Sequence, residues 1–423
     1  MMRRSRFIRS AAALGAAAGF PTAIGAEATV KIGYIDSFSG GLADIGNHHR
    51  TAMAIAVDEA NRSGRVKYEL VSADDTSKPA NGTIEARRLI SQENVDVLMV
   101  GTSSAVTLAI GPLAEQTGIF TLAIGGQDTS ITGEKAQKVL YRFAPNVRMQ
   151  IAAFGQRILS LGKKWYFIVD DFAYGRDSYA RLSALVKRAG GSESGADILP
   201  LGTEDYSSAL TKLRNSDAEV LVLCQGGFDS AKTIKQFVDF GLHKKLQIGG
   251  VSGSMEDYYW KSIPVDQIAG STFGINWAPQ VSDSAQAFTR KMAKLIREPI
   301  SSRYYFPYVC TSQLIDRMHA AGTTRAEPLI FAFADHKFDA YKADPAVWRG
   351  CDHQCVQDTY AGAVRTLKKI EKTGFMFDIV AEVPGVRAAG TCSDADPAAA
   401  VAALGAQKVP DRTGYEPKPI TPK

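Results

Sequence analysis

The feature that most constrains this chain is a repeated exchange of short apolar, β-rich runs with helical patterns. Val30-Lys-Ile-Gly-Tyr-Ile35 precedes a helical stretch from Thr51 to Arg62, Tyr68-Glu-Leu-Val71 precedes another from Pro79 to Glu93, and Val95 to Val100 follows. Strands separated by helices do not pair as hairpins; they build a parallel sheet covered on both faces. The exchange restarts at Trp165-Tyr-Phe-Ile-Val169, with a helix around Asp177 to Ala189, then Val220-Leu-Val-Leu223, a helix around Ser230 to Phe240, and Leu246-Gln-Ile248. A chain of 423 residues also exceeds what one hydrophobic core serves. The expected fold is therefore α/β, two doubly wound parallel-sheet lobes joined by a multi-crossing hinge. Lobe 1 is assigned residues 29–147 and 277–338, lobe 2 residues 148–276 and 339–390, and 391–423 a C-terminal extension with a Pro-rich tail. Phe143-Ala-Pro-Asn146 is the first linker and Gly274-Ile-Asn-Trp277 a return crossing, with the helical window Tyr304 to Ala321 in the first lobe.

Residues 1–28 read as a secretory signal peptide, with a basic head (Arg3, Arg4, Arg6, Arg9), an apolar stretch from Ala11 to Phe20 and a small-residue cleavage site at Ala26-Glu27-Ala28. The Arg3-Arg4 pair leaves twin-arginine export open as an alternative to ordinary secretion. The apolar stretch falls short of the ~20 residues that span a bilayer, and no later window is both that long and uncharged. Cleavage after Ala28 removes four of 49 basic and one of 44 acidic side chains, which takes the formal charge from +5 to +2. So even a balance gives no reason to invoke nucleic acid or an anionic membrane. A soluble, monomeric periplasmic protein is expected.

Five cysteines are too few for a disulfide scaffold. Cys351 and Cys355 pair if Cys-Asp-His-Gln-Cys forms a turn, where i,i+4 neighbours approach to ~6 Å instead of the ~13 Å of a strand. A metal site using Asp352 and His353 is the alternative, although the spacing matches no standard zinc pattern. Cys224 lies in an apolar strand and reads as a small buried hydrophobe.

In open parallel sheets ligands bind beyond the carboxyl ends of the strands. Those segments are 36–46, 101–107, 123–129, 170–175, 225–228 and 249–254, rich in Ser, Thr, Gly, Gln and aromatics and poor in charge. The most pointed is Val97-Leu-Met-Val-Gly-Thr-Ser-Ser-Ala-Val-Thr107, where a strand delivers hydroxyl side chains to a helix start. Unpaired N–H groups and a partial positive charge there suit a carboxylate, although Ser or Thr at such a place also serves simply as an N-cap. A small molecule held by hydrogen bonds and ring contacts, from neutral groups rather than a salt link, is expected. No nucleophile elbow, phosphate loop, dinucleotide fingerprint or zinc motif is present, so neither an enzyme nor a cofactor or metal is expected. His48-His49 reads as surface at the cleft rim and Asp74-Asp75 as a turn.

With those segments laid out, the chain resembles the periplasmic type I solute-binding proteins of ABC importers, specifically the leucine/isoleucine/valine-binding family, over residues 29 to 385. The resemblance rests on Ile32-Gly-Tyr-Ile-Asp-Ser-Phe-Ser-Gly-Gly-Leu-Ala-Asp-Ile-Gly46, Asp74-Asp75 before Pro79, Gly101-Thr-Ser-Ser-Ala-Val-Thr107, Asp171-Phe-Ala-Tyr-Gly175 and Asp352-His-Gln354. It implies a Venus-flytrap binder that hands a small-molecule ligand to ABC permease subunits, with a ligand-sensing receptor subunit as the alternative. The family's carboxylate-binding serine falls on Ser104, the donors of the next loop on Gly125 and Gln127, the closing tyrosine on Tyr174 and its aromatic partner on Phe228, with Ser252 in the loop after the Leu246–Ile248 strand. Amino-acid binders of this family place a glutamate in that loop to pair the ligand ammonium, whereas this chain reads Gly249-Gly-Val-Ser-Gly-Ser254. A buried ammonium without a counter-ion costs several kcal/mol, so a carboxylate lacking an amino group is expected, unless Glu256, Asp257 or Asp171 supplies the charge.

Overall fold

A computed structural model describes residues 29–392 except Arg65, together with Lys418 and Ile420. The expected signal peptide and nearly all of the tail lie outside the described residues.

The first sheet contains β1 (Thr29–Asp36), β2 (Lys67–Asp74), β3 (Val97–Val100), β4 (Thr121–Ala123) and β5 (Leu140–Arg142), in the order β2-β1-β3-β4-β5. Every neighbouring pair is parallel. The second sheet contains β6 (Lys164–Asp170), β7 (Ser192–Leu199), β8 (Val220–Cys224), β9 (Gln247–Gly250) and β10 (Thr272–Ile275), all parallel to their neighbours. A short antiparallel sheet follows, made of β11 (His336–Phe338), β12 (Ala346–Trp348) and β13 (Cys355–Val356). The chain then adds two antiparallel strands, β14 (Thr359–Val364) and β15 (Phe377–Val383), to the edge of the second sheet, giving β15-β14-β10-β9-β8-β6-β7. Central strands β3 and β8 are buried at every residue, as a sheet covered on both faces requires.

The covering helices are α1 (Ala43–Ser63), α2 (Pro79–Ser91), α3 (Ser104–Thr117), α4 (Val147–Leu159), α5 (Ala173–Arg188), α6 (Ser207–Arg214), α7 (Phe228–Asp239), α8 (Asp283–Met292), α9 (Ser302–Ala321) and α10 (Ala326–Phe333). Local chemistry sets their ends. Ser103 caps α3 by accepting from the Val106 N–H, and Gly118 stops it in a left-handed turn.

One hydrophobic core joins β1–β5 to α8–α10, and it also takes in Ala340, Ala346, Trp348, Cys355 and Ile420. Segment 339–356 thus packs with the first lobe, not the second as the sequence boundary has it, because its aromatic residue Trp348 stacks on Phe338 and meets Phe333 and Tyr141. Two further cores lie on the second sheet. The chain passes between lobes near residues 143–146, 276–278 and 357–358. These crossings are tied together: Gln357 Nε2 donates to the Phe143 carbonyl (2.6 Å), and the buried Lys342 amine donates to the carbonyls of Asn276 (2.7 Å) and Asp358 (2.6 Å).

The expected Cys351–Cys355 pairing is corrected: Cys351 is bonded to Cys392, with Cα atoms 6.4 Å apart. His353 adopts a left-handed φ of 59° and reverses the chain, so Cys355 enters β13 and buries its thiol in the first core while Cys351 stays exposed. The metal alternative fails on the same ground. Both thiols of the Cys351, Asp352, Cys392 group are consumed by the disulfide, Asp352 is held by Arg349 (2.8 Å), and His353 turns towards the Leu140 carbonyl (3.2 Å).

Candidate ligand cleft

The carboxyl ends of both sheets face each other across a narrow gap of about 20 Å³ lined by Leu42, Ile45, Thr102, Ser104, Gly125, Gln127, Phe172, Tyr174, Gly226, Gly253 and Arg303. That is room for about one water molecule, so the lobes must part before a solute can enter.

Its floor is built on Asp36, the last residue of β1. This buried carboxylate accepts from Tyr34 Oη (2.5 Å), Ser37 N (2.9 Å), Thr102 N (2.8 Å) and His49 Nδ1 (2.9 Å). Burial pulls its pKa upward, but these bonds outweigh burial and hold it below the usual carboxylate value. Gly101 makes the arrangement possible, since a Cβ there would lie 1.9 Å from the Asp36 carboxylate. His49, expected at the surface, is instead fully buried as one of these partners: it faces inward on α1, whereas His48 stacks on Tyr258 of the other lobe at 4.7 Å.

Ser104 opens α3, and its Oγ accepts from the N–H groups of Gln127 (2.9 Å) and Asp128 (3.1 Å). With both acceptor positions taken, the hydroxyl proton is left to donate. The Gln127 side-chain nitrogen is buried and has no partner. Gly125 lines the cavity, but its N–H is spent on the Gly101 carbonyl (3.0 Å), so it contributes space and not a donor.

Arg303, at the start of α9, is the cavity residue that the sequence reading missed. It is 4 % exposed, and its Nε lies 2.9 Å from Glu256 Oε1 of the opposite lobe, a charge contact without hydrogen-bond alignment. Burial disfavours its charge, yet Glu256, Tyr258, Tyr259 and Asp44 together raise its pKa above the ordinary arginine value. The cleft therefore contains a fixed cation, contrary to the expectation of neutral groups alone. Arg303 follows no strand, so a search of strand-end loops passes over it. A usable signal was a single arginine entering the uncharged aromatic run Tyr304-Tyr-Phe-Pro-Tyr308, since such a charge is buried and needs an anion.

Tyr174 forms part of the second-lobe wall. Its hydroxyl donates to Gln150 Oε1 (3.1 Å) and accepts from Gly253 N (3.0 Å), so it presents its ring. Phe172 packs edge-on against it at 5.9 Å. Phe228 is not in the cavity; it is 38 % exposed, stacked on Tyr259 at 5.1 Å, in an outer groove with Gly40, Asp44, Glu204 and Lys232. Ser252 is buried behind the wall, its Oγ turned towards Gly274, and Gly253 lines the cavity instead.

The lobes are closed on each other. Asp177 of α5 accepts from the N–H (2.9 Å) and hydroxyl (2.7 Å) of Thr129, Tyr258 Oη donates to Asp44 (3.0 Å), and Ser302 Oγ donates to Glu256 (2.8 Å).

A profile described as periplasmic binding protein matches residues 29–369. The chain belongs to the periplasmic binding protein family. This is a family of solute binders rather than enzymes. Among curated relatives, the Leu/Ile/Val-binding protein homolog 8 of Brucella abortus is 26 % identical over 351 residues, covering 78 % of this chain and 86 % of that one. A periplasmic binding protein from Burkholderia mallei superposes with a TM-score of 0.80 at 24 % identity, over 87 % of this chain and 98 % of the other. An ABC-transporter solute-binding protein of Rhodopseudomonas palustris, solved with 3,4-dihydroxybenzoic acid, gives 0.77 at 20 % identity over 84 % and 98 %. No helix among the described residues of this binding protein is long and apolar enough to cross a membrane.

Proposed function

We propose that this periplasmic binding protein is the extracytoplasmic component of an ABC importer, and that it captures a small carboxylate-bearing solute between its lobes and delivers it to permease subunits. The observation that carries the reading is the set of donors on the first-lobe wall, the Ser104 hydroxyl and the Gln127 amide, which have no partner for their protons, and the Arg303 guanidinium, which Glu256 contacts from the opposite lobe. Solute first meets these groups. The second lobe then swings over with Phe172 and Tyr174, excludes water, and makes each bond stronger in the low-dielectric gap. The permease recognises the closed shape, so occupancy is reported by conformation. Relatives support the class, one bearing a Leu/Ile/Val-binding name and one holding an aromatic acid. The signal-like segment 1–28 supports the periplasm as the place of work.

A thermal-shift screen of small carboxylates, sugars and amines tests the proposal, because a binder raises the unfolding midpoint by mass action. Carboxylates alone should do so; a response to sugars or amines without one to any acid would refute it.

A further inference from the structure

The rim of the cleft carries a histidine that the solute site does not use. His48 precedes the buried His49 on α1, and its side chain, 16 % exposed, stands between the lobes. Its Nδ1 faces the Asp44 carbonyl one turn earlier on the same helix, and its Nε2 lies 2.9 Å from Glu298 Oε2. A carbonyl only accepts, and the Glu298 carboxylate already accepts from Tyr304 Oη (3.1 Å), so both ring nitrogens face acceptors. Neutral imidazole has one N–H and satisfies one of them; imidazolium satisfies both.

Across the cleft the same ring meets the second lobe. Tyr258 stacks on it with centroids 4.7 Å apart at an angle of 27°, and Tyr258 Oη donates to Asp44 Oδ2 (3.0 Å). Tyr304 meets it edge-on from the first lobe at 5.1 Å. An aromatic face attracts a cation through its quadrupole, so the stack on Tyr258 is stronger for the charged ring. The other charged or titratable neighbours are Asp44 and His49 on α1, Glu298 and Arg303 before and at the start of α9, and Glu256 and Tyr259 of the second lobe. Arg303 is matched by Glu256, and burial holds His49 below the ordinary histidine value, which leaves it uncharged at neutral pH. When the lobes part, Asp44 and Glu298 stay beside His48, whereas Tyr258 and Glu256 leave it.

Resting on the reading that closure retains the solute, we infer that His48 is a positioning residue: as imidazolium it clasps Tyr258 and holds the second lobe over the cleft, which makes closure stronger below neutral pH. Protonation and closure assist each other reciprocally. Closure has this support in full while the ring is charged and loses it as the pH rises and the ring is neutralised.

Histidine changes charge between about pH 5 and 8, which sets the window of the test. Single-molecule energy transfer between one dye on each lobe of the full chain, without solute, reads the ratio of closed to open molecules. In the wild type that ratio should be about two- to fivefold higher at pH 5.5 than at pH 8. His48→Gln keeps a donor for Glu298 but carries no titrating charge, and it should lose the response. Tyr258→Leu should lose it too, because it removes the ring of the opposite lobe and leaves His48, Asp44 and Glu298 in place; this variant carries the test if the first does not fold. A wild-type ratio that does not rise on acidification, or a response in either variant equal to that of the wild type, overturns the inference. No solute enters the measurement, so its failure leaves the carboxylate reading standing, and a failure of the thermal-shift screen leaves this result intact.

Discussion

Replacing Arg303 by methionine separates two effects that the side chain combines. It removes the guanidinium from the solute, and it strands Glu256 in the closed interface with Ser302 as its remaining partner. Charge-assisted hydrogen bonds to a bound carboxylate contribute about 1.5 to 3 kcal/mol. The stranded acid adds a second term, limited by the work of protonating it. From an ordinary glutamate value of 4.5, 2.5 pH units at about 1.36 kcal/mol each set that limit near 3.4 kcal/mol at pH 7. Because the two lobes keep separate cores, the penalty falls on closure and not on folding: the cleft opens, Glu256 becomes hydrated, and the unfolding midpoint changes little. Arg303→Met should therefore weaken carboxylate binding by about 1.5 to 6.4 kcal/mol, between one and nearly five orders of magnitude, at pH 7, with the closure part shrinking by about 1.4 kcal/mol for each pH unit of acidification towards 5. Adding Glu256→Gln should restore closure, read as the radius of gyration in X-ray scattering, without restoring the direct contact. Calorimetry on the single and double variants at pH 5.5 and 7 makes the comparison. An affinity loss under tenfold in Arg303→Met, or full recovery of wild-type affinity in the double variant, would refute the assignment of Arg303 to the solute.

Ser104→Ala removes the donated proton and leaves the Gln127 and Asp128 N–H groups without their acceptor, so affinity should fall by roughly 1 to 3 kcal/mol in calorimetry with no change in fold by circular dichroism. Replacing Cys351 and Cys392 by serine opens a loop with a sequence separation of 41 residues; up to about 4 kcal/mol of stability should be lost, read as the denaturation midpoint, while solute affinity is retained. Burial pushes the Lys342 amine down to about 7, below its unfolded value of 10.5. The folded state then binds fewer protons than the unfolded chain between those values, so this lysine makes stability rise with pH there, by at most about 1.4 kcal/mol per unit. Urea midpoints at pH 8 and 10 should show that rise in the wild type and a smaller one in Lys342→Met.

Much of this fold is legible along the chain because parallel α/β units repeat a local pattern, and β3 and β8 appear as uninterrupted apolar runs of the kind a doubly covered sheet requires. Ser104 is legible for the same reason, as it follows a strand directly. Arg303 is not, because only the packing of α9 against the first sheet brings it beside Ser104. Cys392 is equally hidden: a pairing argued from spacing weighs near neighbours, whereas the left-handed turn at His353 decides which cysteine faces out. Phe228 and Ser252 lie within the right loops but on the wrong side of the backbone, which loop position alone does not distinguish. The boundary at residue 339 fails because Trp348 finds its aromatic partners in the first lobe.

The anchoring of the tail has a practical meaning for any experiment that must watch the protein move. Ile420 N donates to the Gly322 carbonyl (2.9 Å), its side chain is buried in the first core, and the Lys418 amine reaches the Thr29 carbonyl where β1 begins. Thr29, Lys418 and Ile420 therefore sit together on the face of the first lobe remote from the cleft, which lies at the opposite ends of these strands. A fluorophore, affinity tag or sensor chip attached beside Thr29 or Lys418 leaves the jaws free to open and shut.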